Sequence, residues 1–553
     1  MDNIKLANLL FGDVDKTPEY YEKLYPEREL KQGARVTRFA PSPTGFLHIG
    51  GLFAAFVSKL TAQATDGIFY LRIEDTDKKR EVKGGVGEIV RGLTTFGVTP
   101  DEGRISDDEE TGEYGPYIQS SRREIYRCFA KELTAKGLAY PCFCSEEELA
   151  RIRLLQENEP VKGYYGKYAR CRELSFDEIE RRVKDGQPWV LRLRSMGDAQ
   201  NRVSFDDAIK GKIDMPENIM DIVLLKTDGI PTYHFAHCVD DHLMRTTHIV
   251  RGDEWIASVP VHLQLFRYCG FKPPKYAHIA PIMKEEGTGK RKLSKRKDPE
   301  AAVSYYDEMG YPAQSVREYL LTLANSSFEQ WRKANKTEPQ SSFPFNLKKM
   351  SVSGALFDLV KLDDVSKNVI AGFDADTVYE LVSEWAEKYD RELYEALTRD
   401  SEYAKKIFSL GRGGKKPRKD FSKWSEVKDY VAYFYTEFYK NELNMPENVS
   451  AADAAEIIRR YSETYNPADD KDEWFGAIKS ICEPLGYTPS VKDYKAQPDR
   501  FKGHVGDVST VIRIAVTGRQ NTPDLYDVMN IIGEEEIKRR LKSAFEKLNE
   551  KAN

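Results

Sequence analysis

Residues 40–51 read APSPTGFLHIGG, and the patterns on either side of this turn decide the fold. Upstream, ARVTRFA (34–40) has the character of a short strand. Downstream, LHIGGLFAAFVSKLTAQA (47–64) has helical spacing, with Leu52, Phe56 and Leu60 on one face. The two prolines fix the turn between them. IFYLRIEDTD (68–77) is then a near-continuous apolar run that stops abruptly in acids, as a buried parallel strand does where it emerges at a sheet edge. Strand, helix and strand make a βαβ unit, which predicts an α/β fold built on a parallel sheet.

At 553 residues the chain is too long for one core and should divide into roughly three to five domains. Its 40% hydrophobic and 31% charged residues suit several globular cores rather than a disordered chain. No apolar run is long enough for a membrane span, and the N-terminus lacks the order of a signal peptide. The expectation is a cytoplasmic protein that makes no membrane contact. Seven scattered cysteines do not form a disulfide framework and fit a reducing compartment. A net charge of −5 argues against indiscriminate coating of nucleic acid, yet it leaves local basic patches, KRKLSKRK (290–297) and GRGGKKPRK (411–419).

The βα rhythm breaks over 141–219, which contains a cysteine pair, a charged helix candidate and strand-like PWVLRLRS (188–195), and so reads as an insertion. It resumes with DIVLLKTDGIPTYHFAHCVDDHLM (221–244) and THIVRGDEW (247–255). The expected parts are an N-terminal extension (1–33), a discontinuous Rossmann-like domain (34–140 and 220–285), the insertion (141–219), a basic-loop region (286–356) and an all-helical C-terminal region (357–553).

Ligands of open parallel sheets bind beyond the carboxyl ends of the strands. Arg38, Glu74, Asp75, Tyr233 and Arg251 all fall at such ends in this reading. Two guanidiniums and a carboxylate around one crevice suit a ligand with two carboxylates and an ammonium group. Gly45, Gly50 and Gly51 leave room beside a helix start for a nucleotide, its phosphates near the positive helix end and His48 aimed at them. Neither the dinucleotide fingerprint nor the P-loop pattern is present. Taken alone, His48 reads more readily as a helix-start residue satisfied by local backbone, and the flanking glycines turn the reading toward phosphate.

These motifs resemble those of the class I aminoacyl-tRNA synthetases: RFAPSPTGFLHIGG (38–51) is similar to their HIGH signature and KLSKR (292–296) to their KMSKS loop. APSPTG, LRIEDTD (71–77), PTYHFA (231–236) and CVDDHLM (238–244) resemble the glutamyl-tRNA synthetase family in particular. The stretch VIRIAVTGRQNTPDLYDVMNIIGEEEIKRRL (511–541) is similar to the end of that family's helical anticodon-binding part.

The resemblance implies a Rossmann-like catalytic domain, an inserted tRNA acceptor-end domain and a helical anticodon-binding region. It implies activation of L-glutamate with ATP and Mg²⁺, then transfer to tRNA(Glu), with tRNA(Gln) as a further acceptor in a non-discriminating enzyme and an inactive tRNA-binding paralogue as the contrasting outcome. It carries glutamate binding onto Arg38, Ala40, Ser42, Glu74, Tyr233, His237 and Arg251. ATP binding falls on His48, Gly50, Gly51, Lys292, Ser294, Lys295 and Arg296, with His48 and Lys295 catalytic. His237 departs from the asparagine common at its position. Cys142, Cys144 and Cys171 match a zinc knuckle of some relatives and read either as zinc ligands or as free thiols, with Glu173 or Tyr168 near for a fourth ligand. A monomer is expected.

Overall fold

The computed structural model describes residues 2–77, 82–294 and 296–552. The chain forms two compact units, Met1–Tyr305 with Arg317–Asp358, and Tyr306–Val316 with Leu359–Asn553.

The first unit opens with helices α1 (Asn3–Leu10) and α2 (Pro18–Leu24), then enters the sheet through β1 (Val36–Phe39). Helix α3 (Ile49–Gln63) follows the proline turn, and its Ile49, Leu52, Ala55 and Val57 are sealed from water, which explains its nearly all-apolar sequence. It leads to β2 (Ile68–Leu71), paired parallel to β1 with Arg38 opposite Tyr70. After α4 (Gly85–Thr95), β3 (Glu102–Arg104) joins parallel to β2, and the short β4 (Glu110–Thr111) closes that edge antiparallel. Helix α5 (Arg123–Ala135) then leaves the sheet.

The insertion begins at β5 (Ala139–Cys142), continues through helices α6 (Glu146–Leu155) and α7 (Phe176–Lys184), and returns in β6 (Val190–Leu193), antiparallel to β5. Ser145 and Glu148 form a capping box that starts α6. Strands β7 (Arg202–Asp207) and β8 (Gly211–Pro216) make a hairpin. β9 (Val223–Leu225) pairs with β6, so the run at 221 belongs to the antiparallel sheet β5-β6-β9 rather than to the parallel one. A short apolar run does not reveal which sheet it will join.

The parallel arrangement resumes after α8 (Tyr233–Leu243) with β10 (His248–Gly252), then α9 (Val259–Cys269) and β11 (Lys275–Ile279), which pairs parallel to β10. β10 runs beside β1, where Thr247 N donates to Val36 O at 2.9 Å and Val36 N to Thr247 Oγ1 at 2.8 Å. The layer thus reads β11, β10, β1, β2, β3, with the carboxyl ends of β10, β1 and β2 side by side. A hairpin of β12 (Met283–Glu286) and β13 (Gly289–Lys292) carries the basic loop.

The N-terminal extension packs on this body. Leu6, Leu10, Phe11, Tyr21 and Tyr25 share one core with residues of α5 and α8. Arg28 grips Glu102 with two hydrogen bonds of 2.7 and 3.0 Å while its guanidinium lies 3.8 Å from the centre of the Tyr114 ring.

The second unit is helical. One core gathers Val378, Leu393, Ile407 and Trp424, and a second gathers Ile457, Ile478, Ile512 and Leu541 from helices between Ala451 and Ala552. No described helix of the chain is long and apolar enough to cross a membrane.

Candidate active site

A cavity of about 460 Å³ opens where β1, β2 and β10 end. Arg38, Ala40, Ser42, Glu74, Tyr233 and Arg251 all line it, so the structure brings together six residues spread over more than 200 positions. Lys226 and Trp255, not singled out in the sequence, line it as well. Trp255 sits with its ring centre 4.4 Å from that of Tyr233. Its signal was its place just beyond the polar end of β10.

Beneath the cavity lies a buried lattice of charge. Arg72 is wholly buried and donates from Nη1 to Asp241 Oδ1 at 2.7 Å and from Nη2 to Glu74 Oε1 at 3.1 Å. Arg38 Nε is 3.4 Å from both oxygens of Asp241. The adjacent Asp240 accepts from Arg122 Nε at 2.7 Å, Tyr126 Oη at 2.7 Å and Gln119 Nε2 at 2.9 Å. Burial alone would raise the Asp241 carboxyl, but Arg38 and Arg72 hold it well below the usual range. For Glu74 burial dominates and raises its pKa above the ordinary value, with Arg72 and Arg38 opposing. Arg72, Asp240 and Asp241 were missed in the sequence, where their signal was charge inside apolar runs.

Arg251 differs from Arg38 in one respect. It is 6% exposed, yet among the described residues it pairs with no carboxylate. Its neighbours are neutral: Tyr233 Oη at 3.0 Å, His278 Nε2 at 3.0 Å and the Trp255 carbonyl at 3.3 Å.

His237 does not reach the cavity. It is fully buried, with Nδ1 2.6 Å from Asp241 Oδ2 and Nε2 3.1 Å from Tyr276 Oη. Tyr233, His237 and Asp241 follow one another at every fourth position of α8, so His237 lies one turn deeper than Tyr233 along the same face. Burial pushes its pKa down to about 3, against the pull of Asp241.

The start of α3 is joined to the segment that follows the second motif. His48 forms an antiparallel bridge with Ala302, and Val303 N donates to Leu47 O at 3.0 Å, which ties the start of α3 to the chain just beyond KLSKR. His48 is the N-cap of α3, its Nδ1 accepting from Gly50 N at 2.9 Å. A neutral imidazole that accepts at Nδ1 carries its proton on Nε2. The backbone reading and the functional reading therefore use different nitrogens of one ring. Gly45 has φ 148°, in the half of backbone space that favours glycine. A Cβ on Gly51 would lie 3.1 Å from Leu47 Cδ1, and one on Gly50 3.2 Å from His48 Nδ1, so both glycines keep the helix start close to its own neighbours.

The basic loop is braced by Asp298, which is nearly buried. It accepts from Arg291 Nη1 and Nη2 at 2.6 and 2.7 Å, Lys284 Nζ at 3.1 Å and Ser294 N at 2.9 Å. The contact with Arg291 keeps its carboxyl well below the usual range. Lys292 and Arg296 are exposed, and Lys292 Nζ stands 3.9 Å from Glu254. Lys295 lies outside the described residues.

Cys142, Cys144 and Cys171 bring their three sulfurs within 4.8 Å of one another. The oxygen beside them is Tyr164 Oη, 3.4 Å from Cys142 Sγ and 3.3 Å from Cys144 Sγ. Tyr168 instead donates to Glu159, and Glu173 is 81% exposed beside Arg172 and Arg194. Hydrogen bonding within the trio pulls the Cys142 thiol down and pushes the thiols of Cys144 and Cys171 up, so the three sulfurs titrate as one group.

Residues 35–364 match the model of the family described as tRNA synthetases class I (E and Q), catalytic domain, and residues 494–545 match an anticodon binding domain. The chain is 50% identical over 542 residues to a glutamate–tRNA ligase of Clostridium perfringens (strain SM101), covering 97% of this chain and 98% of that one. It is 47% identical over 565 residues to a glutamate–tRNA ligase of Sorangium cellulosum, covering 96% and 99%. The crystal structure of a glutamate tRNA ligase from Elizabethkingia meningosepticum in complex with its amino acid is similar at TM-score 0.75 and 28% identity, covering 93% of this chain and all of that one.

Proposed function

The chain belongs to the class I tRNA synthetases for glutamate and glutamine, and from that premise we propose that the cavity is the glutamate site of a glutamate–tRNA ligase. The carrying observation is Arg251, a buried cation at the cavity wall whose charge no carboxylate of the described residues answers. A carboxylate-bearing ligand supplies the missing partner, since an unpaired buried charge is costly. Arg38 offers a second cationic surface, though shared with Asp241, and Glu74 offers the anion for a substrate ammonium. Ala40 and Ser42 shape the wall between them. His237 acts indirectly, by contacting the Asp241 that faces Arg38.

The reaction has two steps. The α-carboxylate of glutamate attacks the α-phosphorus of ATP and pyrophosphate leaves; a hydroxyl of the terminal tRNA ribose then attacks the glutamyl-adenylate carbonyl and AMP leaves. Neither step requires a covalent intermediate on the chain, so catalysis consists of positioning and charge stabilisation. Synthetases of this kind use ATP with Mg²⁺, which adds positive charge at the phosphates. We place the nucleotide against Gly50 and Gly51, with His48 Nε2–H and the cations Lys292, Lys295 and Arg296 on its phosphates and Ser294 beside them. The juxtaposition of His48 and Ala302 supports this placement.

The three cysteines with Tyr164 suit a tetrahedral structural zinc, which would tie the end of β5 to the segment around Cys171. Elemental analysis of the purified chain should then give one zinc, lost in Cys142→Ser. We assign 141–219 to the tRNA acceptor end, the helical C-terminal region to the anticodon, and a monomeric cytoplasmic state. Charging assays with glutamate, ATP and purified tRNA(Glu) and tRNA(Gln), each alone, test the function. Charging of neither would remove the reading and leave the inactive tRNA-binding paralogue; charging of both would mark a non-discriminating enzyme.

A further inference from the structure

We propose that Asp207 and His278 form a positioning relay that orients the Arg251 guanidinium for substrate. This rests on the reading of Arg251 as a glutamate-carboxylate ligand.

Arg251 in β10 and His278 in β11 are register partners across the parallel pair. Arg251 Nε–H donates to His278 Nε2 at 3.0 Å. The opposite ring nitrogen, Nδ1, is 2.7 Å from Asp207 Oδ2. One nitrogen accepts and the other faces a carboxylate, which fixes a neutral ring with its proton on Nδ1. Burial favours the same form, lowering the His278 pKa against the pull of Asp207. Asp207 is itself fixed: Oδ1 accepts from Ile209 N at 3.0 Å and Lys210 N at 2.9 Å, and Oδ2 from His278 N at 3.0 Å. It closes β7, so the root of the inserted hairpin holds the imidazole, and the imidazole holds the arginine.

The consequence lies in what remains of Arg251. With Nε committed to His278, the guanidinium plane is set from behind, and its two terminal nitrogens face Tyr233, the Trp255 carbonyl and His262 Nδ1 at 3.0 to 3.4 Å. Those contacts are neutral and leave the charge for an anion. An arginine side chain without the Nε anchor has several rotamers open, and each must be given up when a carboxylate binds. Asp207 and His278 do not line the cavity, so they act through Arg251.

Two replacements of His278 separate this role from packing. In His278→Asn the amide reaches the Nδ1 position and keeps the link to Asp207, but falls short of Arg251. In His278→Gln the amide reaches the Nε2 position and accepts from Arg251. The full-length chain should show a glutamate KM raised roughly 10- to 100-fold in His278→Asn, with kcat and the ATP KM within about twofold. His278→Gln should recover most of the glutamate KM, and both variants should melt within a few degrees of each other. Equal glutamate KM values in the two variants would overturn the relay. Arg251→Gln separates the two levels: a raised glutamate KM there beside a wild-type value in His278→Asn sinks the relay alone. An unchanged KM in Arg251→Gln sinks the glutamate-site reading and the relay with it.

Discussion

Arg72 Nη1 donates to Asp241 Oδ1 at 2.7 Å, and both side chains are fully excluded from water. The pair stands at the centre of the catalytic unit, because Arg72 also reaches Glu74 and Asp241 also faces Arg38. Replacing such a lattice entirely by apolar residues can be neutral, whereas removing one partner strands the others. Arg72→Met should therefore destabilise the catalytic unit by about 3–5 kcal/mol, because it leaves Asp241 with fewer cations and Glu74 with none in contact. Urea unfolding followed by tryptophan fluorescence measures it; a loss below about 1 kcal/mol, the scale of a surface ion pair, would mean that the lattice is not acting as a unit.

Glutamate binding should weaken in acid through Glu74. Its pKa lies above the ordinary 4.5 because burial penalises the charged form more than Arg72 relieves it. The substrate ammonium needs the carboxylate, so affinity is present above the raised pKa and declines as pH falls through it. The acid limb of kcat/KM for glutamate should sit above pH 4.5 and be absent from a Glu74→Gln variant, whose affinity is low at every pH. A limb that survives in Glu74→Gln would assign it to another group.

How far the site was legible follows from these residues. Arg38, Glu74 and Arg251 were visible because strand periodicity places strand ends, and open parallel sheets put ligands there. Asp240 and Asp241 were in plain view in the CVDDHLM run, but their partners lie just beyond β2 and just before α5, and only the tertiary fold reveals that Arg72 and Arg122 meet them. His237 was grouped with the cavity through its motif, whereas helix geometry puts it one turn below. For the same reason the cysteine trio was found and its oxygen neighbour was not: Tyr164 precedes Cys171 in a loop whose path has no periodic signal. Phe421 and Trp424, which follow the second basic patch, are buried in the helical core.

The double duty of His48 can be divided by mutation. Nδ1 caps α3 through Gly50 N, and asparagine is a good replacement at an N-cap while lacking the Nε2 donor. His48→Asn should keep wild-type thermal stability and lose the ATP-dependent step by about 10²-fold or more, the scale of one lost transition-state donor. His48→Ala should lose the same step and about 1 kcal/mol of stability besides. ATP–pyrophosphate exchange with tRNA present, together with thermal melts, checks both. Full exchange activity in His48→Asn would leave the histidine with its capping role alone.

The patch GRGGKKPRK divides into two kinds of cation. Arg412 donates to the Ile370 carbonyl at 2.7 Å and Arg418 to Asp420 at 2.6 Å, so these two arginines hold the loop in place. Lys415, Lys416 and Lys419 are exposed, and no hydrogen bond or ion pair engages them among the described residues. A lysine that lies on a nucleic acid phosphate releases a counterion, and its removal flattens the dependence of log K on log salt by roughly 0.7–0.9 per contact. The triple variant Lys415→Ala, Lys416→Ala, Lys419→Ala should therefore reduce the salt slope of tRNA binding by about 2–3 and weaken binding most at low salt. The kcat for glutamate activation should not move, since the substitutions lie in the helical unit. Arg418→Ala should act differently, by loosening the loop that Asp420 anchors, with a loss of affinity that a steeper or flatter slope does not account for. Filter binding across a salt series reads both, and an unchanged slope in the triple variant would make these lysines a solvated face rather than a phosphate contact.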